Sequence, residues 1–533
     1  MKIVKKRTRY QPAVHEPEAV GKQASQSFPT VTEDTLRADI ENYLAPVLKQ
    51  YRERLRPYAR SKIVRDVIWG FHTYEPHELA IIDSPPFQRL RNIFQTSLAL
   101  FTYPCSVHSR FEHSLGCATV ASRMIEAIRR RTRLSDATLE IEAKVAALLH
   151  DLGHGPFSHS SERYYERLST PDGRQIFEEL KRQNPIFADS SASEIITYLM
   201  ITTKSFRDLW QQIVDMNRSQ VPALVSTDLD RLASMILGID EKVRGDGRFY
   251  RQIVNGPFDA DKLDYLPRDG YFTGLGIVVD IDRLLHTIDV AESGGERDIA
   301  VVASGAGVLE QVLFAKTQLY SSVYHHHKVR AAHQLLMQLL RLMEDRGHKP
   351  AGRSLTEPAS YLAMDDYDLL HAVPDDPDLD SLVSRIKGRV LPMRALVISY
   401  PCFDPDDAES RENFDKLFDP VNDHLIRKLE TQLLSELRLR EGEVIVDLPD
   451  SPRLSATGQA IVKLGTDNSD NVQLQHIYPA GAWAKAYFGY RKVAYVFTTS
   501  ANRRKVGAAA KDALEKLKYP IKLNNKALAL AKV

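Results

Sequence analysis

No stretch of this chain reaches the roughly 18 apolar residues that a membrane span requires, and its opening, MKIVKKRTRY, lacks the apolar core of a secretory leader. A membrane-embedded or exported protein is therefore not expected. Cysteine is scarce: Cys105, Cys117 and Cys402 are the three in 533 residues, too few and too far apart for a disulfide framework. That scarcity points to a reducing, cytoplasmic setting, with the thiols acting as small packing groups. An excess of charge is missing too, since Lys plus Arg (71) nearly cancels Asp plus Glu (70). A surface that attracts polyanions globally is excluded, so a charged ligand has to be met locally. Neither an internal repeat nor a long low-complexity tract is visible, and a hydrophobic content of 43% is that of a folded interior.

What is present divides the chain into three parts. Residues 1–58 form an arm carrying Pro, Gln, Ser and Gly without period, followed by a helix capped by Thr32 with Leu36, Ile40, Leu44 and Leu48 on one face. The arm is basic, and with ANRRKVGAAAKDALEKLK it offers nucleic acid as a partner; a solvated tail is the preferred reading. Residues 59–394 are expected to be helical throughout. LSDATLEIEAKVAALLH has Ser135 or Asp136 as cap and Leu139, Val145, Ala146 and Leu149 on its apolar face, while GVLEQVLFAKTQLYSSVYHHHKVRAAHQLLMQLLRLMED reads as one long helix. Residues 395–533 change texture: ALVISYP, EVIVDLP, NVQLQHIYP and YRKVAYVFTT are strand-like runs between helical segments. The predicted fold is mainly α, an all-helical core with a smaller C-terminal α+β part.

The segment ALLHDLGHGPFSHSSE concentrates chemistry, with three histidines, an aspartate and a glutamate in sixteen residues. His150 and Asp151 sit where a helix is about to end, and at a terminus both side chains can bend toward one ion. His113 in RFEHSLG and Asp261 in DADKLDYLPRD are candidates for the remaining ligands. Two imidazoles and two carboxylates make a mixed nitrogen and oxygen site suited to Mn, Fe, Zn or Mg.

RFEHSLG, LLHDLGHGPFSH and DKLDYLPRD, in this order, resemble the HD-domain deoxynucleoside triphosphate triphosphohydrolases of animals and bacteria. The likeness runs from KIVRDVIWGF through IIDSPPFQRLRNIFQ and, more loosely, MDDYDLLHAV and SRIKGRV into the C-terminal part, roughly residues 60 to 520. The sixty residues before it are too few for a sterile alpha motif. The resemblance implies a divalent metal on His113, His150, Asp151 and Asp261, and hydrolysis of a dNTP, with dGTP among the candidates, to deoxynucleoside and inorganic triphosphate. His154 and His159 would serve phosphate charge and proton transfer, with Glu162 orienting His159. It further implies that Arg110, Lys262 and Tyr265 grip the triphosphate and that Asp269 accepts the sugar 3′-hydroxyl. Gln95 and Tyr324 would pack on the deoxyribose and His326 would face the pocket, the rest of the HHH triple being solvated. Lys62, Asp83, Gln88 and Arg91 match an allosteric nucleotide site between subunits, implying a nucleotide activator and a homo-oligomer, a tetramer or larger. Read without the family, FQRLR is a packed helix start whose polar residues cap and pair.

The match departs in two places. Close relatives carry a His-Glu pair where NPIFADSSASEIITYL has Glu194 and no histidine, so proton transfer falls to His159 with Glu162 or activity is weak. The family's Gln-Leu-Gly is here QTS, with Thr96 in place of Leu. Two other readings stay open: an HD phosphohydrolase of another nucleotide, monophosphate or cyclic, and a nucleotide sensor or nucleic-acid-binding protein with a weakened site.

Overall fold

The computed structural model describes residues 32–168, 175–243, 245–371, 376–419, 422–449, 455–465 and 470–532; the N-terminal arm lies outside them. Helix α1 (Glu33–Arg54) starts at Thr32, whose hydroxyl accepts the Thr35 N–H, and it buries Leu36, Ile40, Leu44 and Leu48. After it, β1 (Lys62–Asp66) and β2 (Gly70–Tyr74) form an antiparallel hairpin. Helix α2 (Arg110–Thr132) is opened by a Ser109/Glu112 capping box, and α3 (Ala137–Leu149) by Asp136. Helices α4 (His159–Tyr165) and α5 (Ala192–Ile201) follow. Further on come α6 (Ala260–Thr273), then the hairpin β3 (Ile288–Ser293) and β4 (Glu296–Val302), then α7 (Ala306–Leu319), α8 (His327–Asp345) and the short α9 (Asp366–His371).

The C-terminal region supplies β5 (Met393–Ser399), β6 (Val444–Asp447), β7 (Ile461–Lys463), β8 (Asn471–Gln473) and β9 (Val493–Thr498). One sheet has the antiparallel order β5-β9-β6 and, with its flanking helices, encloses a core of its own around Leu396, Leu429, Val496 and Leu514. The other has the order β3-β4-β7-β8: β7 runs parallel to β4, so strands from 461–473 complete a sheet begun at 288.

The fold is mainly helical with a C-terminal α+β part, as expected, but the middle is not helical throughout. The β1–β2 and β3–β4 hairpins interrupt it; their strands, five to seven residues long, are too short to show a clear alternation. Asp66 closes the first turn by accepting the Ile68 and Trp69 N–H groups, and Gly294 and Gly295, both at positive φ, close the second. The long helix expected through HHH is broken as well. A π-type turn, Tyr320–Tyr324, ends α7, and His326 becomes the N-cap of α8 by accepting the Lys328 N–H.

Two features hold the frame in which the site sits. A Cβ at Gly116 in α2 would lie 1.9 Å from Asp264 Oδ1, so only glycine lets α6 come this close and bring Asp261 beside His113. Between α8 and β6, buried Asp447 accepts from Arg330 Nε (2.9 Å) and Nη2 (2.6 Å) and from Gln334 (2.6 Å). Asp447→Ala deprives a buried guanidinium of its carboxylate. A loss of about 3–5 kcal/mol is expected, read as a lower urea midpoint for the transition that includes the β5-β9-β6 sheet.

Candidate metal and phosphate site

Three helix ends meet at one point. The first turn of α2 carries Arg110 and His113, the end of α3 presents His150 and Asp151, and the first turn of α6 carries Asp261 and Lys262. Helix α3 stops at His150 because the chain turns through Asp151–Gly153 against α5. There Thr197 Oγ1 donates to the His150 carbonyl (3.0 Å) and accepts the Gly153 N–H (2.8 Å), and a Cβ at Gly153 would lie 2.1 Å from the Ser193 carbonyl.

Both histidines are held with one ring nitrogen spoken for. His113 Nδ1 lies 2.8 Å from Asp264 Oδ2, and His150 Nδ1 lies 2.9 Å from the Ala147 carbonyl. Each Nδ1 therefore carries the proton, which leaves the Nε2 lone pairs facing inward. His113 Nε2 is 3.1 Å from Asp261 Oδ1 and 3.6 Å from Asp151 Oδ2; His150 Nε2 is 3.3 Å from Asp151 Oδ1 and 3.8 Å from Asp261 Oδ1. His150 Nε2 is buried without a hydrogen-bond partner. An orphaned ring nitrogen facing two carboxylates fits a divalent cation, so these four residues could hold the expected metal. Burial works against a charged His150, yet Asp151 and Asp261 outweigh it and raise its pKa. Burial likewise opposes the charge on Asp151, but Arg110 at 2.6 Å, with the surrounding imidazoles, holds that carboxyl well below the usual range.

Cys117 lies one turn along α2 from His113, its Sγ 3.6 Å from both ring nitrogens. An equal distance to the two places sulfur over the ring face rather than in the plane of the Nε2 lone pair. Burial pushes the thiol well above its ordinary pKa, so Cys117 packs the ligand and stays protonated.

Beside these ligands stands the second half of the histidine-rich segment. His154 Nε2 is 3.4 Å from Asp151 Oδ1, and burial together with Arg110 lowers its pKa well below the ordinary value, keeping the ring neutral. His159 and Glu162 share one face of α4, with Nδ1 and Oε2 2.7 Å apart; the imidazole is 70% exposed while the carboxylate is buried. Burial opposes ionisation of Glu162, but the hydrogen bonds from His159 and the Ser193 N–H keep it a carboxylate. Glu194, near the place of the missing histidine, is occupied in the capping box of α5 with Ser191.

The positions expected around a substrate extend from this centre along α6. Lys262 pairs with Asp259 and donates to the Gly256 carbonyl (3.0 Å). Asp261, Tyr265 and Asp269, four residues apart, form a stripe about 12 Å long on α6. Asp269 accepts from Tyr324 (2.5 Å) and lies 2.8 Å from His108 Nε2, so the expected sugar-edge residues Asp269 and Tyr324 come together. Gln95 donates its N–H to the His108 carbonyl (3.0 Å), and its buried Oε1 has no partner. The ring of His326 packs on Tyr103 and His327 at the start of α8. The other two histidines of the triple are half-buried rather than solvated, because the break at 320–326 folds them back.

Motif reading passed over two groups. His108, which holds Asp269, belongs to no patterned segment. Lys316, near the end of α7, stands close enough to Lys262, Asp259 and Asp261 for their charges to shift it; burial first, and then Lys262, bring its pKa down to about 8. Between the ordinary lysine value and 8 the side chain is neutral here, so its charge is lost as pH rises through about 8. For the triphosphate that the sequence resemblance implies, KM is therefore expected to rise above that pH, and Lys316→Gln to flatten the rise, as steady-state kinetics from about pH 6.5 to about 9.5 would report.

The candidate regulatory residues also have partners within the chain. Lys62 lies 4.9 Å over the ring of Tyr58, whose hydroxyl donates to Asp83. Gln88 donates to the Ile82 carbonyl (2.7 Å) and accepts from Arg91 (2.8 Å), whose guanidinium sits 3.5 Å over Phe111.

Comparison with known proteins finds two family models along the chain. The HD domain matches residues 110–234, and the HD associated region matches 279–524. An uncharacterised protein of Methanocaldococcus jannaschii is 33% identical over 276 residues, covering 52% of this chain and 48% of that one. The protein of Dictyostelium discoideum named as a homolog of the deoxynucleoside triphosphate triphosphohydrolase SAMHD1 is 29% identical, covering 50% and 46%. The SAMHD1 of Gallus gallus is 30% identical, covering 50% and 42%. The chain thus spans about half the length of these relatives. A hypothetical protein of Aquifex aeolicus, solved as a crystal structure, shares the fold at a TM-score of 0.54 and 22% identity, covering 85% of this chain and all of that one. Among the described residues no helix is long and apolar enough to cross a membrane.

Proposed function

From the premise that the chain belongs to the HD-domain proteins, with the HD domain followed by its associated region, we propose that it is a metal-dependent dNTP triphosphohydrolase. The observation that carries this reading is the convergence of two imidazole Nε2 atoms and two carboxylates beside Arg110, continuous with the Asp261, Tyr265 and Asp269 stripe. His113, His150, Asp151 and Asp261 would hold the ion. Once bound, a divalent cation supplies Lewis acidity toward a phosphoryl oxygen and a water of lowered pKa.

The chain's own groups do the rest. Arg110 has a buried Nη2 with no partner, free to donate to a phosphate oxygen while Nη1 keeps Asp151 in place. Lys262 and Lys316 add point charges for the outer phosphates, and Tyr265 a hydroxyl. Asp269, held by Tyr324 and His108, accepts the 3′-hydroxyl, and Gln95 and Tyr324 crowd the sugar edge. Water attacks the α-phosphorus as the bond to the 5′ oxygen breaks; that oxygen takes a proton from protonated His159, and the proton lost by the water passes to solvent, from which the exposed His159 is reprotonated. Glu162 fixes the His159 ring for this transfer.

Lys62, Asp83, Gln88 and Arg91 would bind an activating nucleotide between copies of the chain, their present partners being exchanged for it. Sedimentation and turnover should then respond together to added nucleotides at millimolar level. Chromatography of products from each dNTP, singly and in mixtures, beside dNMPs and cyclic nucleotides, with Mn or Mg, tests the reaction. Inorganic triphosphate from a dNTP supports the proposal. Turnover of a monophosphate or cyclic nucleotide alone reassigns the substrate, and salt-dependent binding of single-stranded nucleic acid without turnover replaces the enzyme with a sensor.

A further inference from the structure

One buried carboxyl beside the site has no part in the chemistry above. Asp366, the first residue of α9, accepts the N–H of Phe94 at 2.9 Å through Oδ2 and the N–H of Phe157 at 2.5 Å through Oδ1. The two amides belong to different walls of the site: Phe94 precedes Gln95, and Phe157 lies two residues before His159.

Between Phe157 and His159 the backbone is strained. Phe157 and Ser158 have φ of 56° and 53°, a region that costs a non-glycine residue on the order of 1–3 kcal/mol and persists only when its surroundings hold it. The holding contacts are specific. Ser158 Oγ donates to the Phe94 carbonyl (2.6 Å) and accepts from Arg110 Nε (2.9 Å), and Arg89 donates to the carbonyls of Leu152 (2.9 Å) and His154 (2.7 Å). Asp366 closes this ring from the far side by joining the strained turn to the Phe94–Gln95 segment.

We infer that Asp366 is a positioning residue of the proposed hydrolase: by clamping the Phe94 and Phe157 amides it holds the turn that aims His159, and the segment that carries Gln95, at the substrate. It lies in the HD associated region, outside the HD domain itself, so that region helps to build the site. Two buried N–H groups are left without an acceptor when the carboxylate is removed. Burial, opposed by the two amides and reinforced by neighbouring Asp365, pushes the carboxyl up to about 7, with Arg110 pulling against it. The ionised form that accepts both amides is therefore complete only above that pH.

The inference rests on the hydrolase reading for its kinetic readout and on the two amides for an independent one. Asp366→Asn keeps one acceptor oxygen and turns an NH2 group toward the other amide. With Mn and a dNTP that the wild type hydrolyses, kcat per folded, metal-loaded molecule should fall about tenfold or more with KM changed less than about threefold, and the acid limb near pH 7 should flatten. Hydrogen exchange in peptides covering Phe94 and Phe157 should accelerate together, while peptides of α2 and α3 stay protected. Unchanged kcat per folded molecule, or undiminished protection of both amides, overturns the clamp. If the wild type releases no triphosphate from any dNTP, singly or in mixtures, the hydrolase reading fails, and exchange at the two amides then decides the clamp alone: retained protection rejects it and joint loss upholds it.

Discussion

Replacing His150 or Asp261 by alanine is expected to lower turnover by at least about three orders of magnitude and to remove bound metal, because each deletes one of four donors around a single point. The two ways of losing activity separate by which residue is changed. His150 Nε2 has no hydrogen-bond partner, so His150→Ala removes a ligand atom without stranding a buried counter-charge, and in metal-free protein the melting temperature should move far less than in Asp151→Ala. Asp151 is different, because its carboxylate lies 2.6 Å from the buried Arg110 guanidinium. Asp151→Ala should therefore abolish turnover, release metal and also destabilise the fold, since Arg110 is left without its counter-charge. Metal content by plasma mass spectrometry, read beside thermal melting, checks both. Retained stoichiometric metal in His150→Ala would refute the assignment of the ligands.

Glu162→Gln is expected to cut kcat by roughly two orders of magnitude with metal content unchanged. The carboxylate touches no ligand to the ion at hydrogen-bond distance; it holds His159 Nδ1 at 2.7 Å and the Ser193 N–H at 2.8 Å. An amide in its place can still accept from one partner, but it no longer stabilises an imidazolium. Glu162→Ala should lose at least as much, again with metal retained. A Glu162→Gln enzyme with full kcat would mean that the proton travels by another route.

That His113, His150, Asp151 and Asp261 come together was legible in the sequence because each sits in a stretch whose neighbours constrain it. A helix ends at His150, and RFEHSLG and DKLDYLPRD each place their ligand in a first helical turn. The pairing of His159 with Glu162 was legible from spacing, since three residues apart on a helix is one face. Asp366, His108 and Lys316 escaped because what they do depends on contacts across long sequence separations: Asp366 reaches Phe157 from 209 residues away and His108 reaches Asp269 from 161. No local period records such pairings.

The fold shows the same division. The α1 face and the cap of α3 follow from local pattern, whereas the break at Tyr320–Tyr324 is imposed by tertiary context, in which Tyr324 turns to donate to Asp269. The parallel pairing of β7 with β4 joins segments about 160 residues apart, beyond any reading of strand composition.

Turnover of dGTP with Mn in water enriched in oxygen-18, with products resolved by mass spectrometry, tests the central claim most directly. The account predicts, for dGTP or whichever dNTP is turned over, deoxynucleoside without label and inorganic triphosphate carrying one labelled oxygen, as attack at the α-phosphorus requires. Label in the nucleoside, or release of dGDP or dGMP in place of deoxyguanosine, would contradict it.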